Sequence, residues 1–206
     1  MLASVGIIRR GSAMARPRQF DQERALDAAL ATFWARGYHA TSLADLLEAM
    51  GIARSSLYHA YQGKHELLLA ALDRYDRRVL GALAARFARP GAGRQAIADM
   101  LDGIVNAAAA GDRRGCLVGN CAIELAPHDA EVQARVRAGL DHLQSAFAAA
   151  VRGAQAAGDI DAARDADALA AFLVCVAEGL QLLAKADADR ATLQAARATA
   201  LAALAD

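Results

Sequence analysis

From Asp21 onward the apolar residues recur every three or four positions rather than every second one, the period of a helix face. Leu26, Leu30, Phe33 and Trp34 share one face of a first predicted helix. Gly37 closes it, supplying the positive φ that a C-terminal cap prefers. A second, short segment starts at Thr41-Ser42, either of which can accept a hydrogen bond from a free N–H of the following turn, and runs through Leu43, Leu46, Leu47 and Met50 to Gly51. After only Gly51-Ile52 a third segment, Ala53 to Tyr61, turns Leu57 and Tyr61 inward and leaves Arg54, Ser55, Ser56 and His59 facing out; Gln62-Gly63 breaks it. A long pattern then runs from Lys64 to about Arg89 and stops at Pro90-Gly91-Ala92-Gly93. Further helices are predicted at roughly 94–110, 116–126, 129–157, 165–185 and 189–204, divided by Gly111, Pro127 and Gly158-Asp159.

Composition agrees. Of 206 residues 56 are Ala, aromatics are 5% and there are 3 Pro, so strong helix formers dominate and the β-branched, aromatic content of a sheet protein is missing. The fold class expected is all-α, with three divisions: 1–17 a disordered basic leader, 18–66 a three-helix unit, and 67–206 a larger helical domain. Cys116, Cys121 and Cys175 have no C-x-x-C spacing and are odd in number, which fits a reducing, cytoplasmic compartment. The apolar stretch Leu169 to Leu183 is shorter than a membrane span and contains Glu178 and Gln181, so no membrane partner is expected. The 23 Lys and Arg are cancelled by 23 Asp and Glu. That neutrality argues against nucleic acid until the chain is divided: residues 1–65 carry eight basic and five acidic side chains, and the rest carries the opposite excess.

Two short helices joined by a tight Gly-containing turn form the pattern of a helix-turn-helix. Leu46, Leu47, Met50, Ile52, Leu57 and Tyr61 can supply its small core. Arg54, Ser55 and Ser56 stand at the start of the second helix, where side chains reach base edges; the Arg54 guanidinium can bond guanine O6 and N7 together, a contact worth ~1–3 kcal/mol of discrimination. Thr41 or Ser42, Tyr58 and Lys64 read as phosphate contacts, Lys64 because it opens a helix whose free N–H groups address the same anion. Arg9, Arg10, Arg16 and Arg18 read either as a solvated tail or as an arm along the DNA backbone or in a minor groove.

The run from Gly37 to Lys64, with the Leu57-Tyr58 pair and Lys64 spaced after Gly51-Ile52, resembles the DNA-binding module of the TetR/AcrR family of bacterial transcriptional regulators over roughly residues 18–75. Cys116 to Ala126 is similar to the sixth helix of one branch of that family. The resemblance implies a homodimer whose last two helices pair with their copies, a small-molecule effector site in the larger domain, and a repressor released from a pseudo-palindromic operator by that effector. It departs from the family at Ala53, where many members carry a capping Ser, at Ala60, which replaces a frequent His, and at Leu43-Ala44, which leaves readout to Arg54, Ser55, Ser56 and His59.

Met100, Ile104, Asn120, Phe147, Phe172 and Cys175 are the expected pocket residues. Buried free cysteines ordinarily behave as small hydrophobes. The sharper alternative for Cys116, beside Arg113-Arg114 and at a helix N-terminus, is a thiolate that senses oxidants or electrophiles. His39, His65, His128 and His142 lack metal-ligand spacing, and neither a metal nor another cofactor is expected. Catalytic signatures are absent, so an enzyme is not expected. The competing classes are an enzyme on a helical bundle, with Glu124 and Glu178 buried together, and a helical binding protein that does not read DNA.

Overall fold

The computed structural model describes residues 21–205, and these contain helices but no strand. The arginines of the basic leader lie outside the described residues. The helices are α1 (Gln22–Arg36), α2 (Leu43–Met50), α3 (Arg54–Tyr61), α4 (Lys64–Tyr75), α5 (Gly81–Phe87), α6 (Gly93–Ala109), α7 (Leu117–Glu124), α8 (Ala130–Ala157), α9 (Ala166–Lys185) and α10 (Arg190–Ala202). A π-helical turn, Asp76–Leu80, joins α4 to α5 within the long segment that periodicity marks as one helix. A π-turn inserts about one extra residue and so rotates the face of α5 relative to that of α4.

The ends are set by local chemistry. Asp21, Asp129, Asp165 and Asp189 cap α1, α8, α9 and α10 by accepting from free backbone N–H groups of the first turn. Ser42 and Asp45 form a reciprocal capping box on α2, and Gly51, left-handed at φ 65°, turns the chain into α3. Ala53 gives α3 no side-chain cap.

Two hydrophobic cores result. One joins Leu26, Leu30 and Phe33 of α1, Leu46 and Met50 of α2 and Leu57 of α3 to Leu67, Leu68 and Tyr75 of α4, and continues into Leu117, Val118 and Cys121 of α7 and Val132 and Val136 of α8. The other gathers Phe87, Ile97, Leu101, Phe147, Val151, Leu173, Leu180 and Leu201 from α5, α6, α8, α9 and α10. The floor under the three short helices is therefore α4 and α7.

Arg74 of α4 is 9% exposed and grips α1, its Nε and one terminal nitrogen reaching the two oxygens of Asp27 at 2.7 and 2.8 Å, with Glu23 beside it. Hydrogen bonds from Arg74 chiefly hold the Asp27 carboxyl down at about 2.

The length argument against a membrane span is corrected by α9. It has 20 residues, and an 18-residue stretch of it has a mean hydropathy of 1.7, enough by length and composition to cross a bilayer. Its apolarity has another source, because it is apolar on two faces. Leu173, Ala177 and Leu180 enter the body core, while Phe172, Leu182 and Leu183 remain exposed.

Candidate functional site

On α3, Arg54, Ser55, Tyr58 and His59 are exposed and Ser56 is half-buried, while Leu57 is fully buried. Positions i, i+1, i+4 and i+5 share one side of a helix, so the anchoring Leu57 aims a single polar face at solvent. The Arg54 guanidinium lies 5.6 Å from the Tyr58 ring centroid, which pre-positions it along that face.

The phosphate contacts divide. Thr41 is fully buried and its Oγ1 donates to the Gly37 carbonyl at 2.6 Å, so the tertiary fold removes it from any external anion. Ser42 is exposed, but its hydroxyl is engaged with Asp45 in the capping box. Lys64, half-buried, places Nζ 4.1 Å from the Tyr38 ring centroid. Burial lowers its pKa, opposed by the charges of Glu124 and Asp45.

Behind this surface, α7 ties the reading helices to the rest of the chain. Glu124 at its end accepts the backbone N–H groups of Tyr38 and His39 at 3.0 and 2.7 Å. A Cβ at Gly37 would lie 2.9 Å from Glu124 Oε2, and Gly37 has φ 82°, so both the backbone angle and the carboxylate require glycine there. At the other end of α7, Trp34 Nε1 of α1 donates to the Gly115 carbonyl at 2.7 Å, and Arg114 stacks 4.3 Å over the Trp34 ring. A third tie is His65 Nε2 to Asp129 Oδ2 at 2.7 Å. Burial opposes charging of His65, but the hydrogen bond and charge of Asp129, aided by Glu66, prevail and raise its pKa. Glu131 also approaches His65 and Glu66, a cluster that spacing did not reveal. Both ring nitrogens of His65 already face carboxylates, so the cluster reads as an ionic junction between α4 and α8.

One cavity is walled by α7 and another by the loop that leads into it. The first, about 280 Å³, lies between α7 and α9 with Cys116, Asn120, Ile123, Glu178 and Leu182 among its lining. The other, about 380 Å³, includes Trp34, Met100, Ile104 and Arg114. Asn120 lines the first cavity, and Met100 and Ile104 line the second. Phe147 lines neither: it is fully buried and packs on Phe87 at 5.3 Å between ring centroids. Phe172 and Cys175 are exposed on the outer face of α9, because the apolar stripe they belong to faces away from the core.

Cys116 is not the thiolate its neighbours in sequence suggest. It is buried, and burial together with the Glu178 charge pushes its thiol up to about 12. Arg113 is committed to Asp187 and the Ala184 carbonyl, and Arg114 to Asp112 and Trp34. Glu124 and Glu178 likewise form no buried pair: the first holds the α1–α2 loop and the second lines the cavity.

A tri-helical head whose third helix presents an exposed polar face, floored by helices that also wall a cavity, defines a helix-turn-helix DNA-binding regulator. Residues 25–71 match the family described as "Bacterial regulatory proteins, tetR family", and residues 93–200 match "Tetracyclin repressor-like, C-terminal domain". The chain is 36% identical to the uncharacterized HTH-type transcriptional regulator YezE of Bacillus subtilis (strain 168), covering 88% of this chain and 94% of that protein. It is 33% identical to the HTH-type transcriptional repressor ComR of Escherichia coli (strain K12), over 90% of each. Its fold matches the TetR family regulator CifR, as a cysteine mutant complexed with 26 bp operator DNA, at a TM-score of 0.78 and 35% identity, covering 91% of this chain and 99% of that one. The chain belongs to the TetR family of bacterial transcriptional regulators.

Proposed function

We propose that the chain acts in the cytoplasm as a homodimeric repressor that binds a pseudo-palindromic operator and leaves it when a small molecule occupies the body. The exposed face of α3 carries this reading. Arg54 contacts base edges; Ser55, Ser56 and His59 adjust the fit; Tyr58 and Lys64 face the phosphates, with Lys64 acting from the first turn of α4, while Ser42 serves as the cap that holds α2. The uncovered residues Phe172, Cys175 and Leu183, on one side of α9, are what a second copy covers, with α10 alongside. Pairing sets two heads one helical turn of DNA or a multiple apart, ~34–36 Å in the simplest case. The operator-bound state of the CifR relative supports the DNA reading, and the repressor description of the ComR relative supports the sign of regulation.

Genomic fragments selected by the protein supply the operator for the test. Arg54→Ala should flatten sequence preference by ~1–3 kcal/mol at one base pair, while Lys64→Ala should weaken all sequences alike and reduce the salt slope by about one. An Arg54→Ala protein with unchanged preference refutes the assignment of α3.

A further inference from the structure

We infer that the cavity between α7 and α9 is built for a small organic amine, an apolar body whose ammonium meets the Glu178 carboxyl. The inference rests on the sensing role given to the body and adds the chemistry of what is sensed.

The walls are mostly apolar or bare backbone. Ala122, Ile123, Leu140 and Leu182 supply hydrocarbon, while Gly115, Gly119 and Gly179 leave room. Glu178 supplies the one carboxyl of this lining: the Cys116 thiol is its hydrogen-bonding neighbour, and its Oε1 is enclosed with no hydrogen-bond partner among the described residues. A buried acceptor without a donor costs about 1–3 kcal/mol, so a rotation of the Glu178 side chain that turns this oxygen to a ligand's N–H groups recovers what the empty site forgoes. The other oxygen is seated by design of the chain: a Cβ at Gly119 would lie 2.3 Å from Glu178 Oε2, so only glycine on α7 admits the carboxyl at this place.

Charge points the same way. Among the described residues no Lys or Arg lines the cavity. The nearest ammonium, Lys185, donates to Asn120 Oδ1 at 2.9 Å at the rim, and Arg113 and Arg114 are held by Asp187 and Asp112. Burial raises the Glu178 pKa, partly offset by the Cys116 hydrogen bond, and a ligand cation beside it would lower the pKa again. A carboxylate ligand meets no countercharge there. For size, an apolar cavity of about 150 Å³ accepts benzene, and the roughly 280 Å³ here accommodates a ring with a one- or two-carbon arm.

Full-length protein at neutral pH is titrated with benzylamine, benzyl alcohol and benzoate by calorimetry, and operator release is followed separately by mobility shift. Benzylamine should bind one per chain at least tenfold more tightly than benzyl alcohol, with benzoate weakest. The isosteric Glu178→Gln should erase the preference for amine over alcohol while leaving the alcohol within threefold. Gly119→Ala, which takes the seat of the carboxyl, should do the same by another route. Equal affinities for amine and alcohol, a preference for benzoate, or an amine preference that survives both substitutions overturns the inference. Those outcomes leave operator binding untouched and so do not bear on the DNA reading. Amine bound with the stated preference but no operator release keeps the ligand assignment and refutes the sensing role.

Discussion

Glu124 offers the sharpest test of how the reading head is held. Its carboxylate accepts two backbone N–H groups, from Tyr38 and His39, in the loop that leads into α2. A net charge-assisted hydrogen bond contributes about 1.5–3 kcal/mol when buried, and two would give more. The His39 contact is exposed and the Tyr38 contact only partly buried, so water re-satisfies much of what Glu124→Ala removes. A loss of about 2 kcal/mol for the pair is the expected outcome, which for a chain of this length lowers Tm by about 4–8 °C. Glu124→Gln keeps one acceptor oxygen and should fall between wild type and Ala. Freed of the tie, the head samples more orientations, and operator affinity should weaken about three- to tenfold at constant salt, since the competent orientation is a smaller fraction of the whole. Differential scanning calorimetry at fixed concentration and a mobility shift on the selected operator measure both. A Glu124→Ala protein with wild-type Tm and operator affinity refutes the view that α7 holds the head.

Other outcomes hang on single contacts. Ala53→Ser supplies the side-chain cap that α3 lacks and should stabilise the protein by about 0.5–1 kcal/mol in urea unfolding; no gain means the α3 N-terminus is satisfied otherwise. The His65–Asp129 tie has a pH sign. With the folded His65 pKa raised, its contribution is full below the unfolded value near 6.5 and disappears as pH rises through the folded pKa. His65→Gln should therefore lower Tm at pH 6 but matter much less at pH 8.5; a pH-independent difference excludes the ion pair as its cause. Phe172→Glu buries a charge in the paired state and should weaken dimerisation at least a hundredfold, about 3 kcal/mol, in sedimentation, with operator affinity lost alongside.

What was legible in the chain was what is decided locally. The helix starts and stops lie within a residue or two of their expected places because Ser42, Gly37, Gly51 and Gly158 act on their own turns. The inward placing of Leu57 and the outward face of α3 came from helical period alone. Local pattern misplaces Thr41, because its hydroxyl closes back on Gly37, a choice made by packing. Phe172 and Cys175 escape it for a different reason: period identifies an apolar face but not whether that face meets the core or the outside. Glu124 as an anchor depends on partners 86 and 85 positions away, beyond any local signal. The thiolate alternative for Cys116 rests on its neighbours along the chain, whereas in space it is buried beside Glu178 and Tyr75, in keeping with a small hydrophobe.

The division of the two cores also bears on how such proteins exchange parts. The core beneath the three short helices is completed by Leu67 to Tyr75 and by side chains of α7 and early α8. A head transplanted from a relative with the joint at residue 66 would arrive without its floor, resting on a surface shaped for another sequence. The transferable unit is discontinuous, taking the chain up to the π-turn together with a second strip around residues 116–136. Recombination that respects specificity should therefore leave its seams in the π-turn and in the loops flanking that strip. New operators would be acquired more readily by altering the few exposed residues of α3 than by exchanging whole heads.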